Sequence, residues 1–224
     1  MGIRVVITGS SGMVGKGVLL ECLDSAKVEA VLVVNRSSIH LEHPKLKEVL
    51  VEDFFDLEGI KNDLSGYDTC FFCLGTSSVG KAEASYTKIT YDLTMYFAKA
   101  FLKQNKKSVF CYVSGTGTDS SEKGRMMWAR VMGKTENALF KLSFRAAYMF
   151  RPGYIQPFRG IKSKTRLFNV IYFIFGPLYG ILKHFPRAAT NTINLGKAMI
   201  NVADGGVGMN ILGNREINQL SISN

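Results

Sequence analysis

Three glycines near the N-terminus constrain the fold of this chain more than any other feature. Gly9, Gly12 and Gly15 follow the apolar run 3–7 and lead directly into a helical pattern that begins at Met13. This order suits a tight turn after a strand, a backbone that approaches a ligand closely, and a helix whose free N–H groups face an anion. The pattern therefore predicts a turn that holds the pyrophosphate of a nucleotide, with an ordinary βα turn as the alternative.

Strands and helices alternate along most of the chain. The alternation predicts an α/β fold, a doubly wound parallel sheet with helices on both faces and a ligand crevice at the carboxyl ends of its strands. We expect a single domain over 1–224, within which 154–224 forms a smaller substrate-side or lid portion. The predicted strands are 3–8, 28–35, 48–51, 69–74, 108–114, 145–151 and 207–212, and the predicted helices are 13–23, 57–64, 82–104 with a break near Tyr86, 122–142, 191–203 and 214–220.

Charge, cysteine usage and the N-terminus limit the function classes. The net charge is +10, but the basic residues are dispersed and no nucleic-acid-binding motif accompanies them, so we expect no nucleic acid partner. Cys70 and Cys73 should point to opposite faces of one strand, and we expect neither a disulfide nor a metal site. The chain opens directly on a strand without the pattern of a secretory signal, and we expect a cytoplasmic protein.

Asn35, Arg36 and Ser37 follow the second predicted strand. An acidic residue at this point commonly binds the ribose of NAD, and it would repel a 2′-phosphate. An arginine can instead hydrogen-bond a 2′-phosphate and stack on adenine. The sequence therefore favours NADP(H) over NAD(H) as the cofactor, although NAD(H) stays open and Arg36 could also be a solvated loop residue.

Several short motifs share an order and spacing that is typical of one family. They are VITGSSGMVG at 6–15, NR at 35–36, DF at 53–54, FCLGT at 72–76, VS at 113–114 and FRPG at 150–153. On these motifs the chain resembles the extended and atypical short-chain dehydrogenase/reductases, which are Rossmann-fold NAD(P)-binding proteins, and especially their Tat-interacting-protein oxidoreductase-like branch.

The resemblance implies where a nicotinamide dinucleotide would be bound. Residues 53–54 would lie beside adenine, 74–76 would run along the cofactor, and 152–154 would lie beside its nicotinamide end. The cofactor-binding residues expected from the motifs are Gly9, Ser10, Ser11, Gly12, Met13, Val14, Gly15, Asn35, Arg36, Ser37, Asp53, Phe54, Leu74, Gly75, Thr76, Ser114, Pro152, Gly153 and Tyr154.

Catalysis in this family normally uses a serine, a tyrosine and a lysine, the last two at i and i+4 on one helix face. The resemblance matches Ser114 to the serine. Aligning the following helix by Gly133 and Glu136 puts Trp128 at the tyrosine position and Met132 at the lysine position. An indole N–H has no accessible acid function and a thioether carries no proton, so the usual proton relay is absent in this register.

Two hypotheses of function follow. The first is an NADP(H)-dependent oxidoreductase or epimerase-like enzyme that acts on an unidentified small carbonyl or alcohol, with Ser114 holding the oxygen. If the helix is misplaced in this alignment, Tyr86, Tyr112 or Tyr154 would supply the proton. The second hypothesis is a non-catalytic protein that senses NADP(H) or acts as a scaffold, its surface for a partner changing when the cofactor binds.

The apolar segment 167–182 has basic residues on both sides. It is too short and too interrupted, by Gly176 and Pro177, to span a membrane. We favour a substrate-side lid that also supplies a homo-oligomer contact, over an in-plane membrane anchor whose basic flanks contact anionic lipid.

Overall fold

Nine strands form two parallel sheets in the part of the chain that the computed structural model describes, residues 2–161, 185 and 187–222. The larger sheet has seven strands in the order β3-β2-β1-β4-β5-β6-β9, and β7 pairs with β8 in a small second sheet. The α/β fold predicted from the sequence is confirmed. The strands are β1 (Ile3–Thr8), β2 (Val28–Asn35), β3 (Leu46–Leu50), β4 (Thr69–Phe72), β5 (Val109–Val113), β6 (Ala146–Arg151), β7 (Tyr154–Gln156), β8 (Ala189–Asn191) and β9 (Ile211–Gly213).

Helices cover both faces of the large sheet. One core contains Val5 and Ile7 of β1, and the opposite core contains Val6, as expected for a strand whose successive side chains alternate between two buried faces. A π-helical turn, Lys88–Asp92, joins the second and third helices, and Glu58–Ile60 forms a 3₁₀ turn. The helices are α1 (Met13–Asp24), α2 (Glu83–Thr87), α3 (Leu93–Gln104), α4 (Met127–Phe140), α5 (Thr192–Gly205) and α6 (Asn214–Leu220).

The strand order creates the site. Strand β1 lies between β2 and β4, so the chain leaves β1 toward one edge of the sheet and returns to the other side of β1 at β4. In doubly wound sheets, ligands bind at the carboxyl ends of the strands where the order reverses in this way. The glycine turn that follows β1 lies at this position.

Two predicted helices differ from the structure. The segment 57–64 forms only the short 3₁₀ turn followed by turns, because Gly59 and the polar run after Lys61 favour turns over a helix. Helix α4 begins at Met127 instead of residue 122, since Asp119 accepts hydrogen bonds from the backbone N–H groups of Ser121 (3.0 Å) and Gly124 (2.7 Å) and thereby holds a loop.

The strand predictions also need correction at some bounds. The predicted strand 48–51 begins earlier, at Leu46, and the predicted strand 207–212 is reduced to β9. The small sheet of β7 and β8 was not predicted, because strands of three residues carry no detectable periodicity. The predicted lid 167–182 lies outside the described residues. No helix in the described ranges is long and apolar enough to cross a bilayer.

Candidate functional site

The turn after β1 depends on two glycines. Gly9 has φ +71°, and its carbonyl accepts a hydrogen bond from the N–H of Gly12 at 2.9 Å. A Cβ atom on Gly9 would lie 2.7 Å from the carbonyl oxygen of Cys73, and one on Gly15 would lie 2.3 Å from the carbonyl oxygen of Gly9. Helix α1 starts from Gly12 without a side-chain cap, and its first turn holds no acidic residue. The first amides of α1 are therefore suited to bind an anion, as a dinucleotide pyrophosphate requires.

A cleft of about 550 Å³ extends from this turn across the carboxyl ends of β1, β2, β4 and β5. Arg36 is the one charged side chain among the described residues that line it. Of the residues predicted to bind the cofactor or to act in catalysis, those on the cleft wall are Gly9, Ser11, Gly12, Met13, Val14, Asn35, Arg36, Ser37, Phe54, Leu74, Gly75, Thr76 and Ser114.

Three other predicted residues lie close to the cleft without lining it. Ser10 is buried and donates a hydrogen bond to Oδ1 of Asn35 at 3.0 Å. Gly15 lies beneath the carbonyl of Gly9. The carboxylate of Asp53 accepts a hydrogen bond from the N–H of Phe55 at 2.9 Å, so this side chain shapes its own loop.

The segment Pro152, Gly153 and Tyr154 was predicted to contact the nicotinamide end and does not line the described cleft. The N–H of Gly153 donates to Oδ1 of Asn214 at 3.0 Å, and the hydroxyl of Tyr154 donates to Oε1 of Gln156 at 2.6 Å. The first contact connects the segment to α6, and the second lies within β7 of the small sheet.

The end of β2 carries a hydrogen-bond network that includes Glu48 of β3. The carboxylate of Glu48 accepts hydrogen bonds from Oγ of Ser38 (2.6 Å), Nδ2 of Asn35 (3.0 Å) and the N–H of Ile39 (3.1 Å). Partial burial raises the pKa of Glu48, but these hydrogen bonds outweigh burial, so the pKa lies below its ordinary value. Glu48 is therefore charged at neutral pH. The neighbouring Arg36 is exposed, and no ion pair joins it to any acidic group in the described ranges.

Ser114 is tied to a buried ion pair behind the cleft. Its Oγ lies 2.6 Å from Oε1 of Glu136 and 3.2 Å from the carbonyl oxygen of Phe150. Glu136 is fully buried and forms an ion pair with Arg151, whose Nε donates to both carboxylate oxygens at 3.1 Å. Because an ionised carboxylate is only an acceptor, the single proton of Ser114 points to Glu136 or Phe150 and the oxygen lone pairs remain for a ligand.

Helix α4 brings Met132 to the cleft wall, one turn after Trp128. The Sδ atom of Met132 lies 3.8 Å from Oγ1 of Thr118. The indole of Trp128 packs over Gly117, its Cη2 atom 3.0 Å from the position of a Cβ atom on that glycine. No lysine or histidine is present in the described lining of the cleft.

Two tyrosines on the cleft wall are buried. Burial raises the pKa of Tyr86 and of Tyr112, and hydrogen bonds with Thr90 and Thr135, respectively, offset only part of the rise. A lysine beside the tyrosine has the opposite effect in the usual proton relay, because a positive charge lowers a tyrosine pKa. Both phenols are thus weaker acids than a free tyrosine.

The sequence did not indicate several residues of the cleft wall as ligand contacts. Most of them lie on helices or at the carboxyl ends of strands. Such a side chain reaches the cleft only if the phase of its helix, or the residue at which its strand ends, brings it there. Burial raises the pKa of the Cys73 thiol to about 12, which makes it a poor nucleophile at neutral pH. The residues missed are Cys73, Ser77, Thr90 and Val113, together with Met132 as a wall residue, whereas Tyr86 and Tyr112 had been named only as alternative proton donors.

The cysteine side chains lie in or against the two cores of the sheet. Cys70 packs in one core and Cys73 against the other, so the two side chains face opposite sides of the sheet. All four thiols are free. Within the described residues, no group of three or more histidine, cysteine, aspartate or glutamate side chains could hold a metal ion.

The strand order and the glycine turn define a Rossmann-type doubly wound fold, and several solved structures have the same fold. A short-chain dehydrogenase/reductase of Saccharomyces cerevisiae, YIR035C, has a TM-score of 0.67 at 14% identity, over 95% of this chain and 96% of that chain. The Bordetella bronchiseptica enzyme WbmH, in complex with NAD⁺, has a TM-score of 0.67 at 16% identity, over 94% and 74%. A Burkholderia cenocepacia short-chain dehydrogenase in complex with NADP has a TM-score of 0.62 at 14% identity, over 97% and 92%.

Curated relatives share the name FMP52. The chain is 31% identical to the mitochondrial protein FMP52 of Debaryomyces hansenii over 150 residues, which are 66% of this chain and 64% of that protein. It is 24% identical to that of Meyerozyma guilliermondii over 151 residues, 67% of this chain and 64% of the relative. The chain thus matches slightly less than two thirds of the length of these relatives. No family model matches the chain.

The names of these relatives contradict one expectation from the sequence. Several relatives are named mitochondrial, so the cytoplasmic location that we expected is wrong. The prediction rested on the lack of a secretory signal pattern, which excludes only one of several targeting routes.

Proposed function

We propose that this chain is a nicotinamide-dinucleotide-binding protein of the short-chain dehydrogenase/reductase type in which the usual tyrosine and lysine are replaced by Trp128 and Met132. One observation carries the proposal: the tight turn of Gly9 and Gly15 leads into an uncapped helix at the reversal point of the sheet. When bound, the dinucleotide supplies or accepts a hydride. Two solved structures of the same fold, in complex with NAD⁺ and with NADP, support this class of cofactor.

Each part of the cleft has a proposed role toward the cofactor. The first amides of α1 bind the pyrophosphate, Arg36 and Ser37 bind a 2′-phosphate, and Phe54 packs against adenine. The stretch 74–76 follows the cofactor, and Ser114 lies toward the nicotinamide end. We propose that residues 152–154, which lead into the small sheet, form a wall on the substrate side of the cleft.

The same geometry favours altered or lost reductase chemistry. Ser114 directs its proton into the protein, Met132 carries no proton, and Tyr86 and Tyr112 are weakened acids. A cofactor-sensing or scaffolding role follows from these features. An oxidoreductase or epimerase-like activity on a small carbonyl or alcohol is the second candidate, favoured by the presence of Ser114 and two tyrosines on the cleft wall.

Several broader proposals accompany this function. We propose one domain over 1–224 with a substrate-side portion over 154–224, and a homo-oligomer in preference to a contact with lipid. The resemblance to the Tat-interacting-protein branch is proposed on the motifs alone. The names of the relatives support a mitochondrial location.

Restoring the tyrosine and lysine tests the loss of the proton relay. We expect the unaltered protein to bind NADPH without oxidising it in the presence of a panel of small aldehydes and ketones. The double variant Trp128→Tyr/Met132→Lys should gain measurable NADPH oxidation, because it regains a proton donor and a cation that lowers its pKa. Nicotinamide absorbance follows the reaction.

The variant Trp128→Phe/Met132→Leu is the matched control, since it changes the same positions without adding a titratable group. Turnover by the unaltered protein would instead support the enzyme hypothesis and an alternative proton donor.

The cofactor preference depends on Arg36. We expect NADPH to bind more tightly than NADH, and Arg36→Ala to weaken NADPH binding by about tenfold to a hundredfold, as expected for loss of a charge-assisted hydrogen bond. The measurement is a titration followed by nicotinamide fluorescence. Arg36→Lys is the control that keeps the charge and removes the planar fork. Equal affinity of the unaltered protein for NADH and NADPH would contradict the preference.

A further inference from the structure

Both polar atoms of the Asn35 side chain form hydrogen bonds within the protein. Its Oδ1 accepts a hydrogen bond from Ser10 at 3.0 Å, and its Nδ2 donates to Glu48 at 3.0 Å. Asn35 occupies the end of β2, where a side-chain acceptor would bind the ribose hydroxyls of an unphosphorylated dinucleotide. Since both of its polar atoms are engaged, Asn35 is held away from such a role, and the adenosine end of the cleft relies on Arg36 and Ser37.

Glu48 also organises the loop that carries Arg36. It accepts a hydrogen bond from Oγ of Ser38 at 2.6 Å and from the N–H of Ile39 at 3.1 Å, so the two residues that follow Ser37 are anchored to β3. Short hydrogen bonds to a carboxylate are the stronger kind. The network therefore joins Ser10 in the glycine turn to the loop 36–39 through Asn35 and Glu48.

We propose that Glu48 is a positioning residue that gives the cleft its selectivity for a dinucleotide with a 2′-phosphate, an inference that rests on the proposed cofactor function. It acts by engaging Asn35 and by fixing the loop 36–39, so that Arg36 is presented to the phosphate while the Asn35 side chain is held by Ser10 and Glu48. Glu48 has no direct contact with the cofactor in this proposal.

The sign of the effect separates positioning from simple electrostatics. A carboxylate near a phosphate repels it, so removing the charge of Glu48 would strengthen NADPH binding if proximity were the only effect. Loss of the positioning role has the opposite result. A glutamine has one amide oxygen and one N–H₂ group, so it cannot accept hydrogen bonds both from Ser38 at one position and from Asn35 and the Ile39 N–H at the other.

The experiment compares the affinities for NADPH and NADH in the full chain, titrated by nicotinamide fluorescence at one salt concentration. We expect Glu48→Gln to lower the ratio of NADPH to NADH affinity by about fivefold to thirtyfold, a smaller change than that expected for Arg36→Ala because Glu48 acts only through the loop. Glu52→Gln is the matched control, because Glu52 is exposed and accepts no hydrogen bond from any described residue. Its ratio should equal that of the unaltered protein.

An unchanged or increased ratio in Glu48→Gln would overturn the inference while leaving dinucleotide binding intact. Equal affinity of the unaltered protein for the two dinucleotides would also overturn it. If the unaltered protein binds neither dinucleotide, the proposed function itself fails. Should Glu48→Gln not fold, Ser38→Ala decides the question, because it removes the 2.6 Å hydrogen bond to Glu48, along with the 3.1 Å hydrogen bond that Oγ of Ser38 accepts from the N–H of His40: a lowered ratio supports the inference and an unchanged ratio overturns it.

Discussion

Replacement of Gly15 by alanine is expected to weaken dinucleotide binding by about a hundredfold or more, the largest effect on binding that we predict. The added Cβ would lie 2.3 Å from the carbonyl oxygen of Gly9 and 2.9 Å from the N–H nitrogen of Ser10. These are backbone atoms, so the whole turn must shift, at a cost of about 1–3 kcal/mol in packing and a further loss of phosphate contacts. Titration with NADPH measures the result.

Gly205→Ala is the control for this variant. Gly205 ends α5, and no heavy atom lies within 4 Å of the position of its Cβ. It should bind NADPH like the unaltered protein. Binding of NADPH to the Gly15→Ala protein with unaltered affinity would show that the turn is an ordinary connection.

Gly133→Ala is expected to have the largest effect on stability. The new Cβ would lie 1.8 Å from the carbonyl oxygen of Asp119, a backbone atom of the loop that connects β5 to α4. The N–H of Asp119 donates to the carbonyl of Ala129 at 3.0 Å, so the loop cannot move away without losing this hydrogen bond. We expect the free energy of unfolding to fall by about 3 kcal/mol or more, as measured by urea denaturation.

The same loop leads to the ion pair behind the cleft. Arg151 donates a hydrogen bond to Oγ of Ser120 at 2.6 Å, and this connects the loop with Glu136. The Gly133→Ala variant should therefore also disturb Ser114, whereas Gly205→Ala should keep the unaltered midpoint. A Gly133→Ala protein with unchanged stability would mean that the loop packs differently on α4.

The strands and the long helices could be predicted because their apolar patterns decide their structure. The bounds predicted for 28–35 and 214–220 equal those of β2 and α6. The short elements could not be predicted. The turn at Glu58–Ile60 and the pairing of β7 with β8 depend on neighbours that are distant in sequence, and the start of α4 depends on the hydrogen bonds of Asp119.

The candidate site was predictable only where it follows from the fold. The ends of parallel strands meet at one edge of the sheet, so the glycine turn, Arg36 and the stretch 74–76 could be expected on one cleft. Side chains on helices were harder to assign to the cleft, because a shift of one residue in the alignment rotates a side chain by about 100° about the helix axis and turns it away from the cleft. Hydrogen bonds such as those of Ser10 and Glu48 have no sequence signal at all.

The π-helical turn between α2 and α3 sets the phase of such side chains. The carbonyl of Thr90, within the turn, accepts hydrogen bonds from Oγ1 of Thr94 (2.7 Å) and of Thr135 (3.4 Å). A π turn holds one residue more than an α-helical turn, so it takes up one extra residue while the helices on either side keep nearly the same phase. A relative that is one residue shorter here, with a regular α-helix, would therefore keep Tyr86 and Phe97 on their present faces, whereas a regular α-helix of the present length would turn Tyr86 by about 100° relative to Phe97.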